Sequence, residues 1–375
     1  MRLITVPHIG TQVPQDNFKG QWEECTPKNV GSFSAVGFFF GRLLHQMLDV
    51  PVGLIDTSWE SAKCEAWIRR DVLEKDPRFM DLMDDWRKTE ANYNAVVAKS
   101  QHEEAMRLWK KEAANAQAAG RPAPRKPNEP RDPLVGQHRP GNLHAGVLHP
   151  LIGYGMKGIV WFQGEGNNKR AFEYGYLFPL MIQHWRDEWK QGDFPFYWAQ
   201  LADYLSEEPE PGDATFAELR EAQTKPMGRL PNTGQAVTID LGEGNQIHPR
   251  NKRDVALRLG RWALARDYGF RFAFRSPEYK SIEVRNGKTV LTFDCFGSSL
   301  VTRDVDEVRG FAVCGADRIW AWAEARIVGS DKIEVKSSKV ERPIAVRYAW
   351  ADNPVCNVYS KSGLPLTPFL SLIHI

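Results

Sequence analysis

The chain has 375 residues, 42% of them hydrophobic and 26% charged, with a formal net charge of +2. This is ordinary globular composition, long enough for two or three domains, and the even charge balance gives no reason to expect a nucleic-acid or membrane-surface partner. No run of eighteen apolar residues is present to span a bilayer, and Cys25, Cys64, Cys295, Cys314 and Cys356 form neither a CxxC pair nor a zinc-spaced Cys/His cluster, so no metal or cofactor is expected.

The opening "MRLITVPHIG" reads as a strand, its apolar part too short for a signal peptide. "FSAVGFFFGRLLHQML" follows, apolar enough for a largely buried helix, and "VGLID" is a short strand that ends in "TSWES". Residues 78–140 break the rhythm. "RFMDLMDDWRKTEANYNAVVAKSQHEEAMRLWKKEAANAQAAG" is one long helix or a helical hairpin, and "RPAPRKPNEPRDP" is a Pro-rich solvated loop. This is read as a surface insertion; a lid or a homo-oligomer contact is the functional alternative. Strand and helix then alternate: "KGIVWFQGEGNN", "EYGYLFPLMIQHWRDEW", "FPFYWAQLADY", "ATFAELREAQTK", "QAVTID" and "NKRDVALRLGRWALARDYG". In the last, Val255, Leu259, Trp262 and Arg266 repeat at helical spacing, and Gly269 stands at the C-terminal cap. Such alternation predicts an α/β fold, a parallel sheet with helices on both faces. From residue 271 the texture is antiparallel: "SIEVRNGKTVLTFD" alternates around Asn286-Gly287, a hairpin signal, and later segments continue likewise. The expected organisation is therefore an α/β domain over 1–77 and 141–270, the insertion 78–140, and a β-sandwich-like domain over 271–369.

In a parallel sheet, ligands bind beyond the carboxyl ends of the strands. The polar residues here sit just after strands: Asp56-Thr57-Ser58-Trp59, Gln163-Gly164-Glu165-Gly166-Asn167, Gln200 to Asp203, and Asp240 with His248. Their convergence points to an enzyme. His248 is placed to take a proton from a hydroxyl nucleophile and return it to a leaving alcohol. Asp240 either orients that imidazole or caps its own loop. Asn167 and the Gly164 amide are donors for a developing oxyanion. "GEG" lacks the lysine and spacing of a phosphate loop. Trp59 and Trp67 are candidates to stack on sugar rings. With five cysteines, at least one thiol is free in a monomer. Buried thiols are the default, Cys25–Cys64 and Cys295–Cys314 bridges the alternative in an exported protein, so compartment stays open.

"GLIDTSWESAKCEAWIRRD", "GNLHAGVLHPLIGYGMKGIVWFQGEGN", "YLFPLMIQHWRDEWKQGDFPFYWAQLADY", "AELREAQ" and "DLGEGNQIHPRNK" together resemble the sialate O-acetylesterase family of SGNH hydrolases, serine esterases that remove acetyl groups from sugars. The likeness covers residues 1 to about 270 and extends into the β region. It implies a Ser nucleophile, His248 as base, Asn167 as oxyanion donor, an acetylated sugar or glycan as substrate, and Gln163, Glu165 and Arg220 lining or supporting the pocket.

Three departures stand out. The family's "GQSNM"-like nucleophile stretch is absent, so the chain is expected to be a fragment, with its first strand missing and little activity alone. Ser58-Trp59-Glu60-Ser61 replaces the family's "SWGG", which puts a carboxylate where an amide donor belongs. Asn245 and Gln246 stand where family members carry an acid before the histidine, leaving Asp240 as orienter or a Ser–His dyad. "LSLIHI", residues 370–375, does not fit the family's ending and reads as foreign, His374 with it. The alternative function is a non-catalytic glycan-binding pseudo-esterase; Ser58 as a replacement nucleophile is a third reading.

Overall fold

The short apolar runs that stop at polar loops become strands because each can be buried only as part of a sheet covered by amphipathic helices. The computed structural model describes residues 1–285 and 288–372. Asn286-Gly287, read from sequence as a hairpin signal, and residues 373–375 lie outside the described residues. The chain divides into two compact units, Met1–Pro7 with Lys19–Cys64 and everything from Ile152, and His8–Phe18 with Glu65–Leu151.

In the larger unit, β1 (Arg2–Thr5) pairs antiparallel with β2 (Glu23–Glu24) and parallel with β3 (Gly53–Asp56). A second sheet is wholly parallel, with β4 (Ile159–Phe162), β5 (Phe196–Ala199) and β6 (Thr233–Ala236) in that order. β5, paired on both sides, is buried at every position. β3 and β4 each end their sheet, and Leu54, Ile55, Ile159 and Val160 stay half-exposed despite their apolar character. β6 stops at Ala236, earlier than "QAVTID" suggests, because the chain there leaves the sheet. Val237 and Ile239 are buried instead in the core of the C-terminal β region.

Helix α1 (Ala35–Leu48), expected to be largely buried, buries only Val36, Gly41 and Leu44. Phe38, Phe39 and Phe40 remain half-exposed, because α1 packs chiefly against the last α-helix of the chain and less extensively against β3, closely at Leu54.

The smaller unit holds α2 (Arg70–Glu74), α3 (Met80–Asn92) and α4 (Ala95–Ala118). The segment read from sequence as one long helix or a helical hairpin forms two successive helices. The break comes at Asn94, whose extended backbone lets its Oδ1 accept from Val96 N and Val97 N, at 3.0 and 3.1 Å. Glu90 is clamped between Arg70 and Arg139 at 2.5 and 2.8 Å, which ties α3 to the loop before residue 140.

Back in the larger unit, α5 (Ala171–Trp189) and α6 (Thr215–Thr224) pack together. Trp161 of β4 sits edge-on to Trp185 of α5, and Phe178 edge-on to Trp198 of β5. α7 (Lys252–Asp267) packs with Val255, Leu259 and Trp262 against Tyr197, Ala199 and Ala236. The approach is close at Gly234, where an added Cβ would lie 2.5 Å from the Trp262 ring and 2.7 Å from Tyr197. Gly234→Ala is therefore expected to lower unfolding free energy by about 1–3 kcal/mol, as overpacking does; a urea titration with unchanged slope would show it.

The C-terminal region is antiparallel. Strands β7 (Glu278–Arg285), β8 (Lys288–Asp294), β12 (Glu324–Ile327) and β13 (Lys332–Lys336) form one sheet, β10 (Phe311–Cys314), β11 (Trp320–Trp322), β14 (Ala345–Tyr348) and β16 (Phe369–Leu372) another. β9 (Leu300–Thr302) pairs with β15 (Val358–Ser360). Leu291, Phe293, Ile333 and Val335 from the first sheet share one core with Phe311, Val313, Val346 and Tyr348 from the second. Leu370 to Leu372, read from sequence as part of a foreign tail, pair with β14. All five cysteines are free thiols, so neither bridge left open by the sequence is formed.

Candidate active site

Parallel strands send all their C-terminal loops to one edge, and here those loops are knitted together by side chains. After β4, Gln163 donates to Ala62 O (3.1 Å), in the loop after β3, and to Asn167 Oδ1 (2.8 Å). Asn167 is fully buried, and its Oδ1 also accepts from Cys64 N at 3.0 Å. With the carbonyl end doubly committed, the Nδ2 end of the carboxamide is turned the other way. Tyr174 OH donates to Gln163 Oε1. Gln223 of α6 donates to Gln163 O and accepts from Leu201 N, fastening the loops after β4 and β5 (3.0 and 2.9 Å). Gly164 is required by that crowding: a Cβ there would meet Leu201 at 2.9 Å and Gln223 at 3.0 Å.

Arg220, fully buried, is a bracket. Its Nε donates to Leu201 O, its Nη2 to Ala202 O and Asp352 O, and its Nη1 to Ala351 O, at 2.6–2.9 Å. Burial pushes its guanidinium down to about 10, against the opposing carboxyl of Asp203. The residue thus supports the site's walls. Asp203 in turn accepts from Gly242 N at 2.6 Å, joining the loops after β5 and β6.

The loop after β6 delivers His248 to solvent, exposed at the rim. Glu243 shapes this loop by accepting from Arg250 N, while Gln246 Oε1 accepts from His248 N. Asp240, the orienter offered by the sequence, is engaged elsewhere. Its carboxylate accepts both Arg258 nitrogens, at 2.5 and 2.7 Å, and the Tyr359 hydroxyl at 3.0 Å. That pairing ties the loop to α7 and to β15, through partners 18 and 119 residues away.

The carboxylate in His248's field is Glu165. Burial raises its pKa; its own backbone N–H, the positive charges of His248 and Lys252, and the Gly164 N–H act in the opposite sense. The Gly164 amide, read from sequence as an oxyanion donor, is thus within reach of Glu165. Lys252, at the start of α7, sits with Nζ 5.0 Å over the Phe162 ring at the end of β4, which brings the two loop systems side by side. Its own pKa is lowered by burial and raised by Glu165 and Glu243. Ser58 lies beyond β3 in an Asx turn, N and Oγ both donating to Asp56 Oδ1 at 2.9 and 2.6 Å; Trp59 follows it, half-buried. The sequence did not single out Lys252, Arg258 or Gln223; the only hint was a charged or amide side chain facing inward on a helix next to the site.

A parallel α/β sheet whose strand-end loops gather a histidine, a carboxylate and a buried carboxamide is the setting of a hydrolase, and comparison with known proteins identifies the kind. The family model described as carbohydrate esterase, sialic acid-specific acetylesterase, matches residues 148–266. Human sialate O-acetylesterase is 28% identical over 406 residues, covering all of this chain and 69% of the human protein. The mouse sialate O-acetylesterase is 30% identical over 422 residues, covering all of this chain and 71% of that protein. Among solved structures, a carbohydrate acetylesterase from Xanthomonas citri superposes with a TM-score of 0.77 at 33% identity, over 99% of this chain and 73% of that one. The chain belongs to the sialate O-acetylesterase family of carbohydrate esterases.

Proposed function

We propose that this rim is the histidine side of a carbohydrate O-acetylesterase site, of sialate type, and that its hydroxyl nucleophile arrives on a further strand pairing between β3 and β4. The observation that carries the reading is the meeting of loops: Glu165 and Asn167 follow β4, His248 follows β6, and Glu165 lies in the field of the His248 imidazole.

The open edges support the second half. β3 and β4 belong to separate sheets, yet the loops beyond them are joined through Gln163–Ala62 and Cys64–Asn167. Both strands leave apolar residues half-exposed, as does the Phe38–Phe40 run of α1. Unpaired parallel edges of that kind are templates for one more strand. A strand running parallel with its neighbours ends at the same rim, so a serine just past its end faces His248. This is the SGNH arrangement that the family resemblance implies.

The chemistry then follows. His248 accepts the serine proton as the oxygen attacks the acetyl carbonyl, and Glu165 holds the imidazolium. The Asn167 Nδ2 hydrogens stabilise the oxyanion, with Gly164 shared between that task and Glu165. His248 protonates the departing sugar oxygen, leaving an acetyl-serine; it then takes a proton from the water that attacks this ester and gives it to the serine oxygen as acetate leaves. Gln163, Arg220 and Asp240 keep the loops in register, and Trp59, half-buried in the loop beyond β3, offers an aromatic face to the sugar.

An acetyl-sugar assay on residues 1–375 beside the same chain extended upstream by its preceding coding sequence tests this. Hydrolysis by the extended protein and its near absence in the shorter one is the expected result. Full activity in the shorter chain refutes the added strand. An extended chain that binds acetylated glycan without hydrolysing it favours the non-catalytic reading, which Glu60 in place of the family glycine would explain. Retention of the full rate in a Ser58→Ala variant of the active protein removes Ser58 as a nucleophile.

A further inference from the structure

At the other end of the β4–β5–β6 sheet, where β6 begins, lies a cleft of about 330 Å³ that the reaction above does not use. Its lining includes Asn232 and Thr233 at the start of β6, Trp262 and Arg266 from the last turns of α7, and Phe274 and Phe296. We propose that this cleft is a binding site for an acidic monosaccharide, with the sugar ring against the phenyl groups and its carboxylate on Arg266.

Three features on the protein side match that ligand. The first is charge. Arg266 is exposed, and among the described residues it makes no hydrogen bond or ion pair; the neighbouring Asp267 accepts from Tyr197 OH at 2.9 Å. The other cation of the lining, Arg275, is already held by Glu278 at 2.9 and 2.6 Å, so one guanidinium is left to receive a carboxylate. The second is the apolar surface. Phe274 stands edge-on to Trp262 at 4.8 Å, and Phe296 is capped by Arg275 at 4.2 Å. The third is a set of acceptors for hydroxyl groups. Asn232 Nδ2 donates to Asp193 O and Thr233 Oγ1 to Leu230 O, which, among the described residues, leaves the side-chain Oδ1 of Asn232 and the threonine hydroxyl oxygen to accept from a ligand.

The backbone is also held in an unusual shape here. Phe296 has φ of 48° and Asn232 φ of 47°. A bulky aromatic residue in the left-handed region costs of order 1–3 kcal/mol, and such strain gathers at ligand clamps. A volume near the lower bound of small-molecule pockets, about 300 Å³, suits one ring rather than an oligosaccharide. The choice of a sugar rests on the carbohydrate reading of the chain; the anion site does not.

Titration calorimetry of the chain with glucuronate, glucose and cyclohexanecarboxylate tests the proposal. Glucuronate should bind at one site per chain, and both others more weakly. Arg266→Gln should weaken glucuronate by about tenfold, the loss of one charge-assisted contact. Asn232→Gly, which keeps the positive φ and removes the acceptor, should weaken it too, while His248→Ala should not. Absence of binding, or equal binding by Arg266→Gln, overturns the site. Cyclohexanecarboxylate binding as tightly as glucuronate overturns the sugar, and loss of binding in His248→Ala moves the ligand to the catalytic rim and overturns the location. None of these results depends on esterase activity, so failure here leaves the reading of the rim standing, and the reverse holds.

Discussion

Arg220→Met is expected to lower the unfolding free energy by about 3–5 kcal/mol, the largest loss for any single substitution near the site. Two effects oppose one another. Removing the guanidinium relieves a costly burial, seen in its pKa pushed down to about 10, and methionine fills much of the same volume. Against this, the carbonyls of Leu201, Ala202 and Ala351 lose their donor at once, and that of Asp352 keeps only the Tyr204 N–H. A buried carbonyl left unpaired costs about 1–3 kcal/mol, so three of them outweigh the gain even after water reaches some. Arg220→Lys should recover little, since one ammonium cannot reach four oxygens fixed by a planar fork. Urea unfolding followed by tryptophan fluorescence, with an unchanged slope, reads the difference. A loss below about 1 kcal/mol would mean that Gln223 and Asp203 alone fasten the loops.

Much of this architecture was legible in the chain because period and punctuation agree. "KGIVWF" and "FPFYWA" are short apolar runs closed by polar loops, and both become parallel strands. The loops that matter were found for the same reason: a polar cluster directly after a buried strand has nowhere to go except the sheet's edge. What could not be read was decided by partners far along the chain. The burial of α1 was overestimated, since its apolar run says nothing of whether a sheet lies beneath it. The α3–α4 break was left open, because Asn94 caps by a local hydrogen bond that competes with a continuous helix only narrowly. Asp240 looked like an orienter because it stands at the end of a strand-like run before the histidine. Its bidentate partner lies in α7 and its third in β15, and no spacing rule reports either. Glu165 was visible as a motif residue, but its relation to His248 depends on how two loops from different strands cross.

In the esterase-active, strand-completed protein, Glu165→Gln is expected to reduce kcat by about 10²–10⁴-fold while leaving the fold intact, the range seen when the acid behind a catalytic histidine is neutralised. It should also be the more stable protein at neutral pH. Burial raises the folded pKa of Glu165 above its ordinary value, so the folded state holds the proton more tightly than the unfolded chain does. The stability contributed by the carboxyl is then full below the ordinary value, about 4.3, and declines as pH rises through the raised one. Glutamine does not titrate, so its advantage over the wild type grows along that interval and is absent in acid. Asp240→Asn should behave oppositely. It breaks a half-buried bidentate pair and leaves the Arg258 guanidinium short of its partner, a loss of about 3 kcal/mol, yet the turnover per folded molecule should stay near that of the wild type. Measuring kcat and urea midpoints of both variants from pH 4 to 8 separates the two carboxyls. Should Asp240→Asn lose turnover with its fold intact and Glu165→Gln keep it, the orienting role passes to Asp240, and Glu165 acts on His248 only as one charge among those of the rim.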